Sequence, residues 1–250
     1  MSNRINWRFL LGEFVVIVVG VLLALWVDEI REARVAAKLE VEYLESLLVD
    51  LEADLVQFDS TEAWMRRQES AAATVLALYS ESPPTDDVAD LVAAVETAGW
   101  QYWPSITRNT IDDLRSTGNL RLIRDRGLRR AIASYYATVE NVSIPNADIR
   151  DRLWAQYDAR VANVLEPGVR LAVLQRPESF GHGITSDAIE AAGAPSVEEL
   201  VAALRSFPEL EIAAREVLYQ TINARGGLEG MRGAALELRA RLEQSLASAP

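Results

Sequence analysis

Seven arginines fall between positions 108 and 130: Arg108, Arg115, Arg121, Arg124, Arg126, Arg129 and Arg130. A guanidinium presents its donors as a planar fork that matches carboxylates and phosphates. Arg121, Arg124, Arg129 and Arg130 are therefore candidates for an anion or partner surface, suited to a lipid head group or a phosphate-bearing ligand. Asp112, Asp113 and Asp125 interleave with them, and eight acidic residues without a basic one occupy Glu40 to Glu62. The plainer reading is that these segments pack near each other or form solvated helix faces.

Other chemistry-bearing residues are sparse. There is no cysteine, which removes disulfides, thiolate catalysis and thiolate zinc sites. The single histidine, His182, sits between Gly181 and Gly183 in a loop with no nucleophile beside it, so His-pair metal sites and most general-base chemistry near neutral pH are excluded. Gly227, Gly230 and Gly233 repeat at steps of three, but no strand precedes them and no Gly-Lys-Ser/Thr follows; close helix packing is the better account. Trp100, Tyr102 and Trp103 form an aromatic connector before Pro104, either tucked into the core or set as a binding lip or membrane-interface belt. No enzyme constellation, metal site or cofactor site is expected. The net charge of −12 argues against nucleic-acid partners, which need a basic surface.

The elements that must position these residues begin with a membrane-type run. Phe9 to Val27 reads FLLGEFVVIVVGVLLALWV, about the length a helix needs to cross a hydrocarbon core roughly 30 Å thick. No small-x-small cleavage site precedes Asp28, so an uncleaved single-pass anchor is expected after a short tail, 1–8. Its one charge, Glu13, shares a helix face with Ile17, Gly20 and Ala24, and Gly20 and Ala24 form a small-x-x-x-small pair. Intramembrane carboxyls are expensive and face protein or water. This face is the candidate membrane helix interface, within a homo-oligomer or with another membrane protein; the alternative is that Glu13 snorkels or pairs with Arg8. Basic residues flank both ends evenly, so orientation rests on a weak preference: a bacterial inner-membrane protein with its C-terminal domain in the periplasm rather than the cytoplasm.

Beyond the anchor the pattern stays helical. Ala37, Val41, Leu44, Leu48, Leu51, Leu55 and Phe58 step by fours and threes, as in a coiled coil or bundle helix. No proline or glycine lies between Gly20 and Pro83, so the helix is expected to leave the bilayer as a juxtamembrane stalk, 28–82. A helical bundle, 83–250, follows. Thr85 is the expected N-cap of its first helix, which ends near Gly99. A helix to about Thr117, a Gly118-Asn119 turn and a helix carrying Leu128, Ile132, Tyr135, Val139 and Val142 come next. Pro145 should kink or interrupt that helix before Ile149, Leu153, Tyr157 and Val161 resume the stripe. Residues 175–195 read as a loop with one short helix. Ser196 with Glu199 and Ser206 with Glu209 read as capping boxes, and Leu228, Met231, Ala235, Leu238 and Leu242 as the stripe of the last helix. Nothing alternates with period two, so the class is all-α.

Two segments carry a resemblance. The anchor opens with Gly12-Glu13, holds Gly20 and closes with Leu23-Ala24-Leu25; the stretch Asn109 to Tyr136 carries Thr110, Leu114, Ser116, Gly118, Asn119, Leu122, Ile123, Leu128 and Tyr136. In these the chain resembles an uncharacterised bacterial family of single-pass membrane proteins with a helical domain of unknown function. The resemblance implies an N-terminal anchor plus helices, and brings no catalysis, cofactor or ligand. It departs at Trp26-Val27-Asp28, where the family tends to carry amide-rich residues. The expected role is a membrane-anchored interaction or scaffold protein. The rival is a membrane-tethered sensor bundle whose arginines and aromatic connector line an anion-binding pocket.

Overall fold

The structure, a computed structural model, describes residues 7–80, 83–174 and 186–248, with side chains throughout except at 7–12, 15 and 186. Among the described residues every regular element is helical: α1 (Trp7–Ser80), α2 (Val88–Thr97), α3 (Asn109–Ser116), a 3-10 turn (Asn119–Leu122), α4 (Arg126–Val161), α5 (Pro167–Leu174), α6 (Ser186–Ala191), α7 (Val197–Arg205) and α8 (Pro208–Ala247). The all-α class is as expected. The chain divides into two compact units: 1–50, 108–130 and 240–250 in one, 51–107 and 131–239 in the other. α1 contributes to both units.

In the first unit, the described part of the apolar run is exposed on every side. Phe14, Val16, Ile17, Val18, Val19, Val21, Leu22, Leu23, Leu25, Trp26 and Val27 are all large hydrophobics in solvent. No helix among the described residues is long and apolar enough to cross a membrane; the side chains of Phe9–Gly12 and Val15, part of the expected span, lie outside that description. Further along, Leu44 and Leu47 of α1 are buried, as are Ile111, Leu114, Ile123, Leu128 and Leu242. The α3 stop is a Gly118 turn at φ 72, left-handed backbone that glycine adopts without a Cβ penalty. The amide of Thr110, in the first turn of α3, donates to Asp50 Oδ2 at 3.0 Å. A carboxylate from α1 thus satisfies one of the orphan N–H groups at that helix start.

The second unit is built round one core. Ala72, Val75 and Leu78 of α1 meet Leu91, Val92 and Val95 of α2, Tyr157 and Val161 of α4, Val169 and Val173 of α5, Leu200 and Leu204 of α7, and Leu210, Ala214 and Val217 of α8. The buried face of α1 here includes Asp54 and Thr61, both with no exposure, and Gln68. Leu55, expected in the seam, is only half-buried. Asp54 accepts from the Thr107 amide at 2.7 Å and the Tyr135 hydroxyl at 2.6 Å. The stripes expected along α4 and α8 are buried at Leu153, Tyr157 and Val161 and at Leu228, Met231, Ala235 and Leu238.

Four local expectations are corrected. Pro145 does not interrupt α4, which runs through it from Arg126 to Val161. The Asn146 amide donates to the Val142 carbonyl at 2.7 Å, bonding backbone beside the position where proline supplies no donor. The N-cap of α2 is Asp87, which accepts from Ala89 N–H at 2.8 Å, while Thr85 Oγ1, two residues earlier, accepts from Asp87 N–H. Ser206 ends α7 rather than capping α8: its hydroxyl donates back to the Ala203 carbonyl. Only the Ser196–Glu199 capping box forms, holding the Glu199 carboxyl below the usual range through the Ser196 amide. Of the three stepped glycines, Gly227 alone packs closely, against Val142.

Two substitutions test this packing. A Cβ at Gly99 would lie 2.6 Å from Tyr157 Cγ and closer still to Cδ1, against a ring that is itself buried. Gly99→Ala should therefore destabilise the protein by about 3 kcal/mol, read as a lower denaturant midpoint at unchanged slope. Asp54→Ala strands a half-buried amide and a buried phenol, and should cost about 3 kcal/mol; Asp54→Asn, which keeps an acceptor for one of them, should lose less in the same denaturation series.

Candidate functional site

The connector between α2 and α3 is the segment whose backbone the helices do not satisfy, and side chains of the second unit hold it in place. Gln68 Nε2 donates to the Ala98 carbonyl at 3.1 Å, and Trp103 Nε1 to Ser143 Oγ at 3.1 Å. The Tyr102 hydroxyl donates to Gln57 Oε1 at 3.3 Å, and Thr107 is held by Asp54. Gly99 lets the Tyr157 ring close against the chain, where the phenol donates to the Val95 carbonyl at 2.9 Å. Burial pushes that phenol well above the ordinary tyrosine range.

Held this way, the connector aromatics join Trp64 of α1. The Trp64 and Trp100 rings meet edge-on, centroids 6.2 Å apart at 66°, and Trp64 and Tyr102 lie nearly parallel at 6.5 Å and 26°. The Arg67 guanidinium sits 5.9 Å from the Trp64 ring centroid. These three rings, with Trp154 of α4 and Leu174 of α5, line a cavity of about 470 Å³, within the range of roughly 300–1,000 Å³ common for small-molecule sites.

Polar groups of the cavity are of two kinds. Arg170 engages two carboxylates through Nε and Nη2: Nε to Glu96 Oε2 at 2.7 Å, Nη2 to Glu96 Oε1 at 3.1 Å, and Nη2 to Asp158 Oδ1. The Glu96 side chain is 2 % exposed, so this two-point pairing is what makes a buried carboxylate tolerable. The pairing, chiefly the Glu96 hydrogen bond, raises the Arg170 pKa further above its usual value. Arg150, by contrast, commits only Nε, to Asp151 Oδ1 at 2.9 Å. Gln101 also lines the cavity, and its Nε2 is buried with no hydrogen-bond partner.

The residues singled out from sequence fall elsewhere. Glu13, Ile17, Gly20 and Ala24 are exposed along one face of α1, and a Cβ at Gly20 would meet nothing within 4 Å. Arg124 donates its backbone amide to Glu40 Oε1 at 2.6 Å and Nη2 to the Ala33 carbonyl at 3.2 Å. Arg129 donates to the carbonyls of Ile123 and Arg124, Arg130 to that of Arg126 at 3.3 Å, and Arg121 is exposed. Three of the four candidates for an anion surface are thus spending donors on internal acceptors, chiefly backbone carbonyls and Glu40. His182 lies outside the described residues. Trp100 and Tyr102 do line a cavity, but with Arg150 and Arg170 rather than the 108–130 arginines.

Sequence reasoning missed Trp64, Glu96, Trp154, Asp158 and Arg170. One signal was present: Trp154 follows Leu153 outside the Leu153–Tyr157–Val161 stripe, a large aromatic on a face the periodicity assigns to solvent. The carboxylate–arginine cluster carried none. Among the described residues no group of His, Cys, Asp and Glu side chains is arranged to hold a metal.

No curated protein matches the chain, and no solved structure does. A family model described as a family of unknown function (DUF6090) matches residues 13–163, from Glu13 through the end of α4. That span takes in the connector, Trp64, Glu96, Trp154 and Asp158, and stops short of Arg170 and Leu174. Because the match covers more than half of the chain, the protein belongs to the DUF6090 family of unknown function.

Proposed function

We propose that this protein is a membrane-anchored helical interaction protein, held by its N-terminal apolar helix and associating through the Glu13, Ile17, Gly20 and Ala24 face. The observation that carries the reading is the all-round exposure of the apolar run. Eleven large hydrophobics between Phe14 and Val27 face outward with no polar side to the helix. A water-exposed helix of a folded domain has one apolar stripe and one polar face; an apolar surface of this extent needs a non-aqueous partner. Lipid chains supply it all round. Small residues at Gly20 and Ala24 let a second helix approach closely, and Glu13 on the same face finds a protein partner there.

On this reading the protein is a single-pass bacterial inner-membrane component whose helical domains stand in the periplasm. It tethers and recruits, and no catalytic step is assigned to it. Homo-oligomers and a second membrane protein are the partners the anchor face suits.

Alkaline carbonate extraction of membranes from cells making the full chain tests the anchor. The protein should stay in the pellet, and replacing Val16, Val19 and Leu22 together by arginine should release it, since each mid-span arginine costs about 3 kcal/mol. Release of the unaltered chain would end the membrane reading. Gly20→Leu should preserve pelleting while reducing cross-linked dimer in the membrane; an unchanged ladder would reject this face as the interface. Protease digestion of a C-terminal tag in intact spheroplasts reports the side on which the domain stands.

A further inference from the structure

We infer that the aromatic cavity of the second unit is a binding site for a neutral saccharide, with a pyranose ring laid against the exposed faces of Trp154 and Tyr102. Its wall is unusually open for aromatic and aliphatic residues: Tyr102 is 39 % exposed, Trp154 49 % and Leu174 52 %. Exposed apolar side chains scattered singly call for no explanation, but three gathered in one concavity do. An indole face carries negative quadrupole charge, and the axial C–H bonds of a pyranose present a flat, weakly positive surface that matches it.

The polar groups select among ring-bearing ligands. A hydroxylated ring needs donors and acceptors side by side, and the cavity has both. The buried Gln101 Nε2 lacks an acceptor, and a turn of that side chain into the cavity would offer the donor to a ligand oxygen. Arg150 leaves its terminal nitrogens uncommitted, and Asp151 and Asp158 each use only Oδ1, which leaves an open Oδ2 on each. An anion is disfavoured, because the lining sets three carboxylates, Glu96, Asp151 and Asp158, against the two guanidinium groups of Arg150 and Arg170. A small cation is disfavoured by the ring spacings: centroids at 6.2 and 6.5 Å close Trp64, Trp100 and Tyr102 on one another instead of boxing a charge between them. What remains is a neutral polyhydroxylated ring. This site does not depend on the anchor, so the two readings stand or fall separately.

The test uses the full chain in lipid nanodiscs, prepared without alkyl-glycoside detergents, whose head groups belong to the proposed ligand class. Maltose, cellobiose and N,N′-diacetylchitobiose are titrated with saturation-transfer NMR as the affinity readout and tryptophan emission as the report on the wall; tetramethylammonium and inorganic phosphate are the comparison probes. At least one disaccharide should give a saturable response. Trp154→Ala, at a half-exposed position, and Arg150→Ala should each weaken it at least about tenfold while leaving the thermal midpoint unchanged. Response to tetramethylammonium or phosphate with none to the sugars overturns the assignment, as does silence towards every probe. Equal sugar binding by the wild type and Trp154→Ala places the ligand elsewhere and overturns it too.

Discussion

A carboxylate with no exposure to water must be given partners, and in this protein Asp54 takes them from two segments distant in sequence. One oxygen accepts the amide of Thr107 and the other the hydroxyl of Tyr135. Each bond satisfies a group that burial would otherwise leave costly. Asp50, one helical turn earlier, does the same for the amide of Thr110. The extended connector between α2 and α3 has no ladder or helix of its own to occupy its N–H groups. Its path is fixed because two acids on one face of α1, four residues apart, take up the amides at its C-terminal end and in the first turn of α3.

That arrangement explains why the open aromatic surface is found where it is. A helix face facing the core is committed to packing, and a fully solvated face has nothing to exclude water. The connector is neither: its backbone is held by Asp54 and Gln68, and its side chains are left to project as their own positions dictate. Trp103 turns to Ser143, Trp100 and Tyr102 turn to Trp64, and Gln101 is left with a buried donor unmatched. On the other side of the cavity, Arg170 ties Glu96 of α2 to Asp158 of α4. A guanidinium with two carboxylates fixes distance and orientation more tightly than apolar contact would, since its donor fork is planar. Among the described residues, polar networks thus border the cavity on two sides.

Periodicity made most of the helices legible. The stripes of α4 and α8 could be read from Leu128 to Val161 and from Leu228 to Leu242 because a buried helix face repeats by threes and fours. The same rule failed on α1, where it took Leu48 and Leu55 into the seam and left Asp50 and Asp54 out. Hydrophobic pattern assigns carboxylates to solvent by default, and nothing local in the sequence reports that amides about fifty residues away will meet them. Pro145 does not interrupt α4, because a helix of this length loses only one backbone bond at a proline and keeps those on either side. At Ser206 the hydroxyl had two helices to serve, and it bonds the Ala203 carbonyl of the one that ends there. Caps were legible where both halves of a reciprocal pair lie within four residues, as at Ser196 and Glu199. Ion clusters such as Glu96, Asp158 and Arg170, drawn from three helices, were not.

The apolar run and the cavity make opposite demands on their surroundings. Residues 14–27 have no polar face, so water is a poor solvent for every side of that helix, and no internal partner among the described residues covers it. At about 25 cal/mol per Å² of apolar surface, removing that helix from water is favourable on the scale of an ordinary domain's whole stability, about 5–15 kcal/mol. On the proposed membrane reading, burial in lipid would supply that gain without specifying a neighbour, and the one carboxyl and the small residues are then informative: Glu13 and Gly20 are the positions that lipid alone would not suit. The cavity is the reverse case. Its aromatic faces are interleaved with an open guanidinium, open carboxylate oxygens and an orphaned amide donor, so neither water nor hydrocarbon satisfies it fully. A surface that is apolar throughout selects a phase; one that alternates ring faces with fixed donors and acceptors selects a molecule.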